Sequence, residues 1–503
     1  MYIAGIDVGT TGCKCTVYDS AGNFQKEAYQ EYQAEITKES HTINPNLVWE
    51  SVKKVLSQIA SEIKEIEAIC VTTFGEASIL LDEQDTPLTD SILYTDPRGE
   101  EECSQLVQSL GNDYIAKSTG LTPGKMYSVS KWMWLKKHQP HVFEACTHIC
   151  LFEDFIVYKL CGVFQIDYSL ATRTMAFDIN KLDWDENILR AAGVNKQKLS
   201  KPAAMGAKAA NMKPDLVRRL GFQKSPVIVS GCHDQLAAAI GTGVLKKGMA
   251  VDGTGTVECI TSIFEPNTHV DYNALSKGGY AVVPFIDHTY ATYAFSFTGG
   301  ALLKWYRNQL ANLEAEIAQQ KGMNAYACFD EQIDISSPSG LLLLPYFAGA
   351  GTPYMDIHAQ GVLVGLTLDT TRAQIYQALM EGVTYEMKLN LEKLNRAGIH
   401  IEKIYATGGG ASSEQWLQMK ADILQKEIVS LGAAQSGTLG CIMLAAVACG
   451  IFSSLEQAAG TFVHYKKIYK PRSKMKDSYE KYYQQYLTIY PRMKTLWKEE
   501  TSR

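Results

Sequence analysis

The sequence predicts an α/β protein of two domains around a central cleft, and three observations carry that prediction. One device occurs twice: Gly5-Ile6-Asp7-Val8-Gly9-Thr10-Thr11-Gly12-Cys13-Lys14 and Ala250-Val251-Asp252-Gly253-Thr254-Gly255-Thr256 each put an Asp, glycines and threonines where an apolar strand turns. Apolar strand-like runs alternate with helical patterns in both halves. The chain of 503 residues is also too long for one hydrophobic core.

The first element is the strand 3–8, paired through the turn with a strand at 14–19. Asn44-Pro45-Asn46 then opens an amphipathic helix over 47–64. A buried strand follows at 68–73, and another over 225–231 leads through Cys232-His233-Asp234 into a small-residue helix at 235–241. Lys246-Lys247-Gly248 precedes the second hairpin, so the domains are expected at 1–247 and 248–503. The second half repeats the pattern: a strand at 362–368, a long helix at 371–396, a strand at 403–407, Gly408-Gly409-Gly410, and a helix at 414–425. The tail from about 463 is rich in Tyr, Lys and Arg and reads as a terminal amphipathic helix with a solvated basic face.

Composition bounds the function. A formal charge of −6 and a pI near 6.0 argue against a nucleic-acid surface. Twelve cysteines occur without a CxxC pair or a Cys/His cluster, and so read as reduced thiols. No apolar run approaches the roughly 18 residues of a membrane span, and Met1 leads directly into a strand with no signal-like region. A cytoplasmic protein with no membrane partner is expected.

The motifs suggest phosphate chemistry. Glycines let backbone N–H groups approach phosphate oxygens, and threonine hydroxyls add donors. A carboxylate beside such a turn would repel phosphates unless a divalent cation intervened, so Asp7 reads as the metal-facing group, through water if the metal is Mg2+. Asp234 stands at the end of a strand and the start of a helix, where it can cap the helix, accept a proton from an alcohol, or do both. Gly408-Gly409-Gly410-Ala411 sits between a strand and a helix, a tight turn that also admits a flat ring or a phosphate.

Taken in this order, the motifs resemble the FGGY family of carbohydrate kinases. Gly361-Val362-Leu363-Val364-Gly365-Leu366 followed by Gln374-Ile375-Tyr376-Gln377-Ala378-Leu379-Met380-Glu381 is similar to that family's C-terminal signature. Gly437-Thr438-Leu439-Gly440 and the small residues up to Gly450 resemble the helix after its adenosine-side loop. The resemblance implies two actin-like (ribonuclease H-like) ATPase domains, with ATP and Mg2+ as cofactors and a small-molecule sugar as partner. It also implies roles for single residues. Thr10, Thr11 and Lys14 would lie at the phosphates with Asp7 near the metal. Asp234 would be the base, Gly253, Thr254, Gly255 and Thr256 would face the γ-phosphate, and Gly409, Gly410 and Ala411 the adenosine. Gly75, Glu76 and Asp96, with Asp154 or Lys131, would face the sugar.

The substrate match is looser. Glycerol kinases carry Arg-Glu where this chain has Gly75-Glu76, and xylulose kinases carry Met-His there. The Val71-Thr72-Thr73-Phe74-Gly75 run resembles the fuculose and rhamnulose kinase branch. The expected reaction is phosphorylation of a free ketose, xylulose kinase-like, at a primary hydroxyl, by a chain that forms a homodimer. The alternatives are a kinase of a polyol or sugar acid, a non-catalytic sensor, and an ATPase of chaperone or actin type.

Overall fold

A computed structural model of the chain describes residues 1–267, 269–432 and 436–500, with the side chains of 498–500 left aside. The chain forms two compact units. The first comprises Met1–Leu245, Ala281–Ala291 and Gln435–Val463, and the second Lys246–Tyr280, Thr292–Ala434 and His464–Arg503.

The first unit is built on a mixed sheet in the order Lys208–Asn211, Val227–His233, Ala68–Thr73, Tyr2–Val8, Gly12–Asp19, Phe24–Glu31. Its three central strands, Val227–His233, Ala68–Thr73 and Tyr2–Val8, are parallel. Such strands are covered on both faces, which explains the unbroken burial of Ala68–Thr73. Helix Pro45–Ala60 lies on one face. Asn44 caps it by accepting from the N–H groups of Asn46 and Leu47, and Pro45 pre-sets the first turn. Helix Ser436–Ala448 packs on strand Tyr2–Val8, although it stands late in the chain. Its approach is backbone to backbone: a side chain at Gly5 would collide with the Thr438 carbonyl, and one at Gly440 with the Ala237 carbonyl. Gly440, in the helix that resembles the one after the family's adenosine-side loop, therefore serves as a packing surface of the first unit.

The second unit repeats the central motif. Strand Met249–Thr254 pairs antiparallel with Glu258–Phe264 and parallel with Lys403–Thr407, which continues in parallel to Glu427–Leu431. Three expectations change in detail. The strand expected over 362–368 stops at Val364, because Gly365 takes a φ of 101° and turns the chain away. The helix expected over 47–64 ends at Ala60. The tail is not one helix: Tyr465–Tyr469 adds an antiparallel strand to Glu427–Leu431 before the helices Lys476–Tyr486 and Ile489–Glu500. Its tyrosines are mostly core. Tyr479, Tyr483 and Tyr486 are buried, and the Tyr486 hydroxyl bonds the Glu386 carboxylate. Among the described residues, no helix is long and apolar enough to cross a membrane.

Candidate functional site

Three parallel strands of the first unit end side by side, and their ends carry the candidate residues. Val8 is in register with Thr73, and Thr73 with His233. The Phe74 N–H donates to the Val8 carbonyl at 3.2 Å, and the Thr72 hydroxyl to the Cys232 carbonyl at 2.5 Å. Asp7, the Gly75-Glu76 loop and Asp234 are thus assembled at the carboxyl edge of a parallel sheet, where open α/β sheets bind ligands.

The turn after Asp7 is tight. Gly9 N–H donates to the Gly12 carbonyl at 2.9 Å, and the Tyr32 hydroxyl closes on the Gly9 carbonyl at 2.6 Å. Thr11 is exposed, Thr10 half-buried, and Lys14 stands opposite Asp7 in the strand register. Burial pushes the Asp7 carboxyl up to about 7, the charge of Asp234 adds to the rise, and Lys14 opposes it. A buried carboxylate raised further by a second one is the environment a divalent cation relieves. Among the described residues no group of three or more His, Cys, Asp or Glu could hold a metal ion, so a cation at Asp7 would take its other ligands from phosphate and water.

This environment has a measurable consequence. The folded Asp7 carboxyl binds its proton more tightly than the unfolded one, whose value is 3.8. Its contribution therefore favours the fold below that pH and is lost as pH rises through about 7. In chelator, Asp7→Asn is expected to raise the melting midpoint of the first unit by a few degrees above pH 7 and to match wild type near pH 3.5. A lower midpoint above pH 7 would contradict this origin of the shift.

Asp234 both caps and faces outward. Its Oδ1 accepts from the Gln235 N–H at 2.7 Å and lies 3.3 Å from His233 Nε2. No donor among the described residues reaches Oδ2, and 37% of the side chain remains accessible. Even so the recess is deep enough for desolvation to push the carboxyl up to about 6, against the Gln235 N–H and the charge of Arg173. His233 is held neutral, its value lowered to about 3 by burial and by Arg173. It is a packed partner of Asp234 and carries no positive charge at neutral pH.

Glu76 is not a surface charge. It is 4% exposed, adopts a φ of 65°, and pairs with Arg173, whose Nε donates to Glu76 Oε1 at 2.6 Å. The Arg173 guanidinium also lies 5.2 Å from the Tyr127 ring centroid. Sequence reasoning missed Arg173: it follows helix Tyr168–Thr172, far along the chain from Glu76, and no local motif marks it.

The other expected sugar-facing groups take structural roles. Asp96 is fully buried, and its carboxylate accepts from four donors: the His41 N–H, and the N–H, Nε and guanidinium Nη2 of Arg98. A carboxylate with its lone pairs so engaged holds the 94–98 loop and has little left for a sugar. Lys131 donates to the carbonyls of Asp96 and Arg98, and burial lowers its value to about 8. Asp154 closes the start of helix Phe152–Cys161, accepting from the Leu151 N–H at 2.7 Å and the Ser200 hydroxyl at 2.5 Å.

In the second unit the second hairpin differs from the first. Asp252 does not face a ligand: Lys420 Nζ sits 2.5 Å from its Oδ2, 2.7 Å from Thr254 Oγ1 and 3.1 Å from Glu258 Oε1. The Thr254 hydroxyl also donates to Asp252 at 3.3 Å, so it is engaged within the hairpin. Gly255 and Thr256 are exposed there, and Gly253 is half-buried. The 408–411 loop rests on this hairpin. A side chain at Gly408 would meet the Thr254 carbonyl at 2.6 Å, and one at Gly410 would meet Thr254 Cγ2 at 2.5 Å. Gly409, Gly410 and Ala411 form a single helical turn that leads to the Ser413 cap of helix Glu414–Leu424. A second glycine pair went unnoticed in the sequence. Gly299 and Gly300 N–H groups donate to the Thr256 and Gly255 carbonyls, which sets the start of helix Gly300–Gln309 against the same turn.

Known proteins match the chain over most of its length. Residues 2–241 match the N-terminal and 258–449 the C-terminal domain model of the FGGY family of carbohydrate kinases. The chain is similar to a xylulose kinase of Bacillus subtilis, 26% identical over 504 residues with 98% of each chain covered. It is 28% identical over 464 residues to a gluconokinase of the same organism, covering 90% of this chain and 89% of the other. The ligand-bound xylulose kinase structure from Lactobacillus acidophilus superposes with a TM-score of 0.88 at 25% identity, covering 99% of both chains.

Proposed function

Since the chain belongs to the FGGY family of carbohydrate kinases, and is thereby an ATP-dependent sugar kinase of two actin-like domains, we propose that it phosphorylates a free ketose of the xylulose type at a primary hydroxyl. The observation that carries the reading is the open Oδ2 of Asp234 beside the Glu76–Arg173 pair. Asp234 accepts the hydroxyl proton as the alcohol oxygen attacks the γ-phosphorus. Lys14 and the hydroxyls of Thr10 and Thr11 donate to the phosphates. Asp7 holds Mg2+, which when bound supplies neutralisation of the phosphate charge. In the second unit, the Gly255 N–H is spent on the Val257 carbonyl and Gly253 lies in the strand ladder, so the exposed Thr256 offers the donor to the nucleotide phosphates, and the 409–411 turn offers a flat surface to adenosine.

Charge favours a neutral substrate over a sugar acid. Around the pocket the carboxylates of Glu76 and Asp234 stand against one guanidinium, Arg173, with His233 neutral. A gluconate carboxylate placed there would add a third negative charge. The test is an ADP-release screen across pentuloses, hexuloses, deoxyketoses, gluconate and glycerol. A ketose should give the highest kcat/KM, and a preference for gluconate or glycerol would overturn the substrate assignment.

The base also predicts a pH limb. A carboxyl pushed up to about 6 is protonated below that value and cannot accept. Sugar kcat/KM should then fall about tenfold per pH unit on the acid side. A profile flat from pH 7.5 to 5 would contradict the assignment.

A further inference from the structure

Gly75 is a glycine for reasons of space. Its φ lies outside the left-handed region, so the backbone would accept any residue. The room beside it is already taken: a Cβ there would lie 3.0 Å from Arg173 Cγ, 3.2 Å from Arg173 Cβ and 3.2 Å from His233 Cδ2. The space that a side chain at 75 would fill is occupied by an arginine from another element.

That arginine is held in place from several directions. Helix Tyr168–Thr172, which delivers it, is capped by Asp167 and tied to the base strand, because the His233 N–H donates to the Ser169 hydroxyl at 2.9 Å. The guanidinium is fixed by Glu76 and by the Tyr127 ring, and its charge is felt at both His233 and Asp234. Glu76 in turn is held at a positive φ, a conformation that a non-glycine residue keeps only when its surroundings enforce it.

From this arrangement we infer that Arg173 is a specificity-determining residue of the sugar pocket, standing in the side-chain space that Gly75 leaves open. With Glu76 it forms a donor–acceptor fork for two neighbouring hydroxyls of the substrate. A hydroxyl both donates and accepts, so one can give its proton to the Glu76 carboxylate while its neighbour accepts from the guanidinium. This orients the chain so that the terminal hydroxyl reaches Asp234 Oδ2. An analogue lacking one of the two hydroxyls leaves a buried charge short of a partner, and such a site discriminates far more strongly than an apolar one. The inference rests on the reading of this recess as the sugar pocket.

The experiment is a relocation of the charge. Arg173→Ala, Gly75→Arg and the double variant are compared with wild type by thermal melting, by KM for ATP, and by kinetics on a ketose and its deoxy analogues. Arg173→Ala should raise the ketose KM by at least about tenfold and collapse the discrimination against the deoxy analogue, with the ATP KM changed less than about twofold. Gly75→Arg alone should be impaired, because two arginines compete for one space. The double variant should recover most of the selectivity. Selectivity unchanged in Arg173→Ala overturns the inference, and so does a double variant that regains its melting midpoint but not its selectivity. Should Arg173→Ala fail to fold, Arg173→Lys decides: it keeps the charge but not the fork, and unchanged selectivity there is equally fatal. A wild type that turns over none of the sugars overturns the ketose kinase reading instead, while calorimetric binding of the same sugars by the variants still decides the role of Arg173.

Discussion

Asp234→Asn is expected to lower turnover by about two to four orders of magnitude while leaving the fold and nucleotide affinity near wild type. The two oxygens of this carboxylate have different duties. Oδ1 caps helix Asp234–Gly241 through the Gln235 N–H, and an amide oxygen can do the same. Oδ2 is the atom left open, and an amide nitrogen there cannot accept a proton. Capping and catalysis therefore separate in one substitution. A variant that melts like wild type, saturates with both substrates and turns over slowly has lost the base alone. Near-normal turnover at saturating sugar would return Asp234 to a capping role.

The second large effect lies in the other unit and concerns stability. Lys420 is 1% exposed and holds Asp252 and Glu258, each essentially buried, together with the Thr254 hydroxyl. Burial and the charge of Asp252 already push the Glu258 carboxyl upward, and Lys420 pulls it down. Lys420→Met keeps the packing against the Trp416 ring but leaves two buried carboxylates facing each other without a cation. Removing one partner of a buried ionic cluster costs on the order of 3–5 kcal/mol. The denaturant midpoint of the second unit should fall accordingly, and nucleotide affinity with it, because Gly408 and Gly410 rest on Thr254. The shift is to be read as a midpoint, since a chain of two units need not unfold in one step. An unchanged midpoint would mean that the cluster contributes nothing to the hairpin.

Lys420 also shows what the sequence could not display. The two Asp-containing hairpins read as equivalent copies, and local pattern gives no reason to separate them. In the fold one aspartate stands in a recess with a second carboxylate nearby, while the other is neutralised by a lysine 168 residues further on. The same holds for Asp96 and Arg173. A carboxylate in a polar loop looks available until its four donors are known, and an arginine in a helix end looks ordinary until Gly75 is seen to have made room for it. Short-range signals were legible: the Asn44 cap, the strand–turn–strand hairpins, and the strand-to-helix junction at Asp234. So was the succession of motifs, since a family order survives where single motifs are ambiguous. Partners brought from distant segments were not legible, because composition and periodicity carry no record of which buried charges meet. The late helix Ser436–Ala448 on strand Tyr2–Val8 is the same lesson at the level of elements.

The central claim is that a primary sugar hydroxyl receives the γ-phosphoryl group. Phosphorus NMR of a reaction containing the protein, ATP, Mg2+ and the preferred ketose tests it directly. The account predicts ADP and a phosphomonoester in equal amounts, the ester signal split by two protons of a CH2 group, with little inorganic phosphate. ADP accompanied only by inorganic phosphate, or an ester coupled to a single proton, would contradict it.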